Sequence, residues 1–516
     1  MRNDEKLLWL ALSTVLAACS PEVVEFKSPS PLAEGMRGKV WADSFYLDPN
    51  PTNPSVNASS STVAGFDFVG AGDSAMLAAS FYDSTTAKFI GYARRYSESS
   101  GWNSAGPDFT VVASSTNSLG HTAITASPGG SAFLATFFEA ASAEARTAAR
   151  YTYWLPQQTM TAASSAAPSY ATASSTAYGP AITTSFDAVG KAYTFYHADA
   201  LASAHVTYQV WEPASGMSSS SQQQVLSAYT ATPTTNYRRV RSVFDGKQKV
   251  CVFAEDASYT AATRRIYVRC LDTAGSTLAT PSFTPTISAV PTALSDADTA
   301  GFDAAADGEG NIVAVFYQVM SGKWHLGSSV CRNGVWDKVP TQVSGAVGNG
   351  FQALPSAVSG DLQISPGIAH IGSGNFVAVW TSINTSTKKS GLYYAVYDKA
   401  KGWLEAKSFG GTSDYTTTPP YGALHVFSNG KDQAGVAVNY TSDEAGRHKV
   451  LVSRFQTVEG WETPVLKGNG CIPAANTTSY CTGRPAGAVL TSGLAVVVYQ
   501  DQDASGRFRL AGMEYK

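Results

Sequence analysis

Four carboxylates and a histidine fall at matched places along this chain. A recurrent apolar segment ends at Phe81, Phe137, Phe195, Phe253, Phe316, Trp380, Asn439 and Tyr499, and two residues past each stand Asp83, Glu139, His197, Glu255, Gln318, Ser382, Thr441 and Asp501. If equivalent segment ends gather around one opening, these side chains could bind sugar hydroxyls, a cation or a basic peptide, since carboxylates are strong acceptors. The plainer account is that apolar segments end where polar loops begin. Asp83, Glu139, His197, Glu255, Gln318 and Asp501 are the candidate ligand-binding residues.

Signatures of catalysis are missing. The chain has no His-Glu-x-x-His, no Cys-x-x-Cys, no phosphate-binding glycine loop followed by Lys-Ser/Thr, and no Gly-x-Ser-x-Gly elbow. Seven histidines are scattered without metal-ligand spacing. Asp501, Asp503, Ser505 and Gly506 match the first half of a calcium loop, but Gly512 stands where that loop needs a bidentate glutamate. A hairpin turn favours the same residues, so no metal or other cofactor is expected. The formal net charge of -3 and the want of a basic stripe argue against nucleic acid as a partner.

The elements that must position the polar column repeat along the chain. Each unit reads as a strand, a Gly/Asp/Asn turn, an apolar strand ending in an aromatic, a polar loop, an aromatic-rich strand, and then a turn into an outer strand, often at Gly-Trp. The clearest copy starts at Gly367, with others near Gly301 and Gly422. Eight landmarks spaced by roughly 60 residues imply about eight units. Segments such as FVAVW (Phe376 to Trp380) and IVAVF (Ile312 to Phe316) lack polar alternation, as expected of strands covered on both faces. Gly101-Trp102, Gly402-Trp403 and Gly460-Trp461 introduce outer strands, with Trp336 in a variant turn. Their indoles are expected to fill gaps between adjacent units. The predicted fold is all-β: a single β-propeller of about eight four-stranded blades over residues 62–516, seven being the alternative count.

The last unit ends after three strands. An open ring leaves two bare sheet edges. The segment Lys39 to Leu47, KVWADSFYL, is an isolated strand signal within an otherwise Pro-, Ser- and Asn-rich tether over residues 19–61. It is expected to supply the missing outer strand and close the ring.

Residues 1–18 read as an export signal: Arg2 and Lys6 precede an apolar run from Leu7 to Ala18 that is too short to span a bilayer. Leu16-Ala17-Ala18-Cys19 is similar to the lipobox of bacterial lipoproteins. That resemblance implies cleavage before Cys19, acylation of Cys19 with palmitate-type chains, and attachment to a membrane. Ser20 lacks the aspartate that retains lipoproteins at the inner membrane of enteric bacteria, so the outer membrane of the cell envelope is the expected location. An exported chain can form disulfides. Cys251 and Cys270 are equidistant from the centre of a strand-loop-strand segment, and Cys471 and Cys481 bracket a short loop, which suggests two disulfides with Cys331 left as a buried thiol.

From about Ala64 onward the blade pattern resembles bacterial sialidase-like and fucose-lectin-like propellers. No catalytic residue comes with the resemblance, because the Asp-box Ser-x-Asp-x-Gly-x-Thr-Trp is absent and no arginine triad or fucose site can be matched. The anchor with eight blades also resembles the propeller lipoprotein of the outer-membrane assembly machine, without that protein's repeat signature. The expected function is a non-enzymatic, monomeric module that binds a glycan or an envelope protein. The rival expectation is a glycan-active hydrolase or lyase.

Overall fold

The computed structural model describes residues 40–47, 65–83, 87–102, 110–115, 118–142, 145–154, 164–166, 182–200, 203–217, 223–226, 237–256, 266–273, 283–284, 299–320, 323–337, 341–343, 366–384, 389–414, 421–441, 447–471, 484–502 and 508–515. The signal segment, Cys19 and Cys481 lie outside these residues. Residues Trp41–Tyr515 form one compact unit.

Eight antiparallel sheets make up that unit. In blade 1 the strands are Phe66–Ala71, Ser74–Asp83, Lys88–Ser97 and an outer pair of segments, Gly101–Trp102 and Thr110–Ser115, both laid along the third strand. The first strands of the other blades are Ser118–Ala126, Ile182–Phe186, Tyr237–Phe244, Thr299–Ala306, Gly367–His370, Tyr421–Ser428 and Ala486–Val489. Each first strand packs against the first strand of the next blade, and that of blade 8 packs against that of blade 1. The sheets therefore form a closed eight-bladed β-propeller with the first strands around its axis.

The core lies between blades. One apolar cluster joins blades 5 and 6 through Val313, Tyr317, Phe376 and Trp380, and another joins blades 6 and 7 through Val377, Val379, Val436 and Val438. The unalternating strands FVAVW and IVAVF thus bury both faces, Val377 and Val379 toward one neighbour and Phe376, Ala378 and Trp380 toward the other. They are second strands, one place out from the axis. The outer tryptophans reach back to the preceding blade: Trp336 packs on Phe253 with centroids 5.6 Å apart, Trp461 stacks on Phe409 at 4.9 Å, and Trp403 Nε1 donates to Ser328 Oγ at 2.6 Å.

Blade 8 takes its outer strand from the other end of the chain. Phe45 pairs with Gly512, Tyr46 with Ala511, and Trp41 forms an isolated bridge to Tyr515. Leu47 N donates to Leu510 O at 2.7 Å and its side chain is buried over Gly512. Within the closing segment, Trp41 and Leu47 are buried, whereas Val40 is 64% exposed. Cys251 and Cys270 face each other across blade 4 and are disulfide-bonded, while Cys331 is buried and free. Cys471 ends an outer strand of blade 7; its proposed partner Cys481 is not among the described residues.

Candidate functional site at the axis

Antiparallel order fixes which loops share a face. First-to-second and third-to-fourth turns lie at one end of the ring; second-to-third turns and blade-to-blade connections lie at the other. Asp83, Glu139, His197, Glu255 and Gln318 sit in the last part of their second strands, at the connection face. They are one strand removed from the axis, and their side chains are not described. Ser382 and Thr441 occupy the same column, where Thr441 Oγ1 lies 3.2 Å from His448 Nδ1 of its own blade.

Asp501 departs from the expectation of an open rim. Its side chain is buried, its Oδ2 accepts from Asn469 N at 3.1 Å, and its Oδ1 accepts from Gly470 N at 3.0 Å and Gln502 N at 2.9 Å. Asn469 and Gly470 belong to the outer strand of blade 7. The left-handed backbone of Gly468 and Gly470 turns those amides toward blade 8. A carboxylate that accepts from three backbone N–H groups, two of them on the neighbouring blade, fastens two blades, and the turn-like DQD sequence is explained by that task. Among the described residues no group of His, Cys, Asp and Glu side chains could hold a metal ion.

Charged residues instead occupy the first strands. Asp67, Arg241, Asp303 and His425 pair with Ala78, Phe253, Val315 and Ala437, each four residues beyond the start of its second strand at Ser74, Lys249, Asn311 and Gln433. They therefore lie on one rung around the axis, in blades 1, 4, 5 and 7. Arg484, just before the first strand of blade 8, joins them.

Asp303 is the hub. Its carboxylate is 1% exposed; Oδ1 accepts from Ala304 N at 3.0 Å and Oδ2 from Ile368 N of blade 6 at 3.3 Å. Arg241 Nε lies 3.3 Å from Oδ1, and Arg484 Nη2 lies 3.6 Å from Oδ2. Those contacts are ion pairs without hydrogen-bond geometry, and both nitrogens are buried with no hydrogen-bond acceptor. Arg484 Nε donates to Leu424 O of blade 7 at 2.8 Å, which fixes the guanidinium. The arginine side chains are 37% and 28% exposed. Asp67 is held by Phe68 N at 2.9 Å and by Ile124 N of blade 2 at 3.1 Å. Burial pushes its carboxyl above the usual range, against the opposing pull of those amides and of Arg241 and Arg484. His425 Nδ1 accepts from Gly487 N at 3.1 Å, which places a ring proton on Nε2 when the imidazole is neutral.

Sequence reasoning missed this rung because it searched strand ends. The signal was present as charge inside strands that are otherwise apolar: Gly65-Phe66-Asp67 and Gly301-Phe302-Asp303 repeat four blades apart, hence across the ring. A groove of about 680 Å³ at the opposite face, between blades 5 and 6, is a weaker candidate. Its cations are already engaged: Lys399 with Glu309 at 2.9 Å, Lys247 with Asn333 at 3.2 Å, and Arg332 with Tyr397 at 2.9 Å and with Asp337.

No family model matches the chain, and no curated protein sequence matches it. Solved structures do resemble it. The Dos1 propeller is 9% identical with a TM-score of 0.43, over 93% of this chain and 95% of that one. The polysaccharide lyase Uly1 is 9% identical with a TM-score of 0.38, over 91% and 93%. An α-L-arabinanase from Penicillium chrysogenum, solved with arabinobiose, is 11% identical with a TM-score of 0.36, over 77% and 92%. The propeller assignment rests on the sheet order and ring closure above, and no residue role is transferred from these proteins.

Proposed function

We propose that this chain is an exported, lipid-anchored ligand-binding module, and that it binds glycan at the axial mouth of its connection face. The observation that carries this reading is the ring of Asp67, Arg241, Asp303 and His425 on the innermost strands, joined by Arg484 just before the first strand of blade 8. Fixed donors and acceptors converging on one opening are what orient a polar ligand. The lipobox-like Cys19 supports the anchored half of the reading. The test is a glycan array probed with the purified chain and with Asp303→Asn. Binding that is lost in the variant supports the site, and binding unchanged in a folded variant rejects it. For the anchor, Cys19→Ala should move the protein out of the membrane fraction without lowering its melting temperature.

One observation favours a glycan-active hydrolase or lyase as the second reading. A carboxyl raised by burial, as in Asp67, keeps its proton to higher pH than a solvated one and is the better placed to act as a proton donor. Release of shortened products from any bound glycan, abolished by Asp67→Asn, would select it.

A further inference from the structure

The axial rung also limits the chemistry of what can bind. Arg484 of blade 8 reaches Asp303 of blade 5, so side chains bridge the axis at this level. A ligand entering from the connection face meets this bridge and presents an end group to it. The bridge offers two guanidinium groups steered by one buried carboxylate, with Arg241 Nε and Arg484 Nη2 both lacking hydrogen-bond acceptors.

Resting on the glycan reading above, we propose that the rung receives the terminal carboxylate of an acidic sugar, held by Arg241 and Arg484. Guanidinium forks match a carboxylate geometrically, and a charged acceptor forms the stronger class of hydrogen bond. Both arginines are already oriented, Arg241 by Asp303 and Arg484 by Asp303 and Leu424 O, so little side-chain freedom is lost on binding. Asp303 is also bonded to two backbone amides, which limits its capacity to satisfy both cations. Burial and the neighbouring Arg241 work against the charge on Arg484, and Asp303 and Asp67 work for it. The charge of an incoming anion would offset the first pair of effects. Asp303 and Asp67 both oppose the anion: Asp303, the nearer, offsets part of the charge of two guanidinium groups, and the raised carboxyl of Asp67 weakens its share.

The experiment is calorimetric titration of the full mature chain at low salt with trigalacturonate, with its methyl ester, and with an acidic tripeptide. The expected result is that trigalacturonate binds at least about tenfold more tightly than the ester, a margin set by one charge-assisted contact. Arg241→Gln and Arg484→Gln should each remove that preference, and Arg241→Lys should restore only part of it. Melting curves identify variants that fail to fold, and for such a variant Arg241→Lys supplies the measurement. Equal binding of acid and ester, both weakened by the arginine variants, keeps the axial glycan site and overturns the acidic ligand. A preference for the acid that survives both arginine variants places the anion elsewhere and also overturns it. Tripeptide binding as tight as that of the sugar rejects the sugar class, and no binding of either sugar rejects the glycan reading together with this one.

Discussion

On the face that carries the first-to-second turns, blade 1 reverses its chain in two residues, Gly72 and Asp73, whereas on the opposite face the chain uses residues 343–366 between blades 5 and 6. The tight turns share one chemistry. Asp187, Asp245, Asp307 and Asn429 each aim a side-chain oxygen at backbone amides two to four residues ahead, at 2.7 to 3.2 Å. Neighbouring turns also touch: Gly310 N donates to Asp245 O and Thr491 N to Gly72 O, both at 2.8 Å, which ties blade 5 to blade 4 and blade 8 to blade 1. One face is therefore specified residue by residue through local hydrogen bonding. On the other face the described ties are those of Asp501 to the outer strand of blade 7 and of the charged rung near the axis.

The largest effect should come from opening the ring, which removes support from both faces. Deleting residues 39–47 withdraws buried Trp41 and Leu47, each worth about 1.5 to 3 kcal/mol, and bares the edge strand Phe508–Tyr515. Deleting residues 20–36 should leave the melting temperature unchanged. Equal losses from the two deletions would show that blade 8 does not depend on the closing strand.

Next in size are substitutions at the contacts between tight turns. Gly246 has φ 84° and packs against the backbone of Gly308, and Gly372 has φ 89° and packs against the carbonyl of Lys431. A methyl group at either site meets the next blade's main chain while forcing a left-handed backbone. Gly246→Ala and Gly372→Ala should each cost about 1 to 3 kcal/mol in denaturant unfolding. Replacing residues 346–360 by a shorter Gly-Ser stretch should cost much less, because lengthening or shortening a loop changes closure entropy slowly. If the loop replacement were the more damaging change, the assignment of stability to the tight-turn face would fail.

A smaller, pH-dependent effect belongs to Asp67. Its carboxyl is raised above the ordinary value of 3.8 in the folded chain. Between 3.8 and that raised value the folded state holds a proton that the unfolded state has released. Stability is accordingly favoured below the window and falls as pH rises through it. Asp67→Asn removes the ionisation, so the variant's melting temperature relative to the parent should increase from pH 4 to pH 7. A difference that stays flat, or that decreases, would mean that Arg241 and Arg484 outweigh burial at this site.

The fold was legible because its determinants are local and repeated. Unalternating runs such as FVAVW announced strands covered on both faces, Gly-Trp marked the outer strands, and the orphan segment Lys39 to Leu47 found its place because blade 8 lacked an outer strand. The site was less legible. The distance from the axis depends on which strand of a blade is innermost, and the aromatic landmarks belong to second strands. Asp67 and Asp303 are single charges within apolar segments, and it is ring order that puts them across from each other. Asp501 matched a plausible pattern, yet it faces the amides of the neighbouring outer strand, a contact between residues 469 and 501 that periodicity does not encode.

The smallest effect on folding is expected at the polar strand ends of the connection face. Asp83, Glu139, His197, Glu255 and Gln318 lie in the last part of their second strands, at the connection face. Single alanine substitutions there should change stability by no more than about 0.5 kcal/mol, the usual range for surface sites. Asp501→Ala should differ, costing about 1 to 3 kcal/mol because it takes the acceptor from the amides of Asn469 and of buried Gly470. That contrast within one sequence column separates fastening from recognition. If the five substitutions also weaken glycan binding, each by about 0.5 to 3 kcal/mol, the ligand extends from the axial rung outward across the second strands. If only the axial substitutions matter, recognition is confined to the first strands, and the polar column records merely where strands stop.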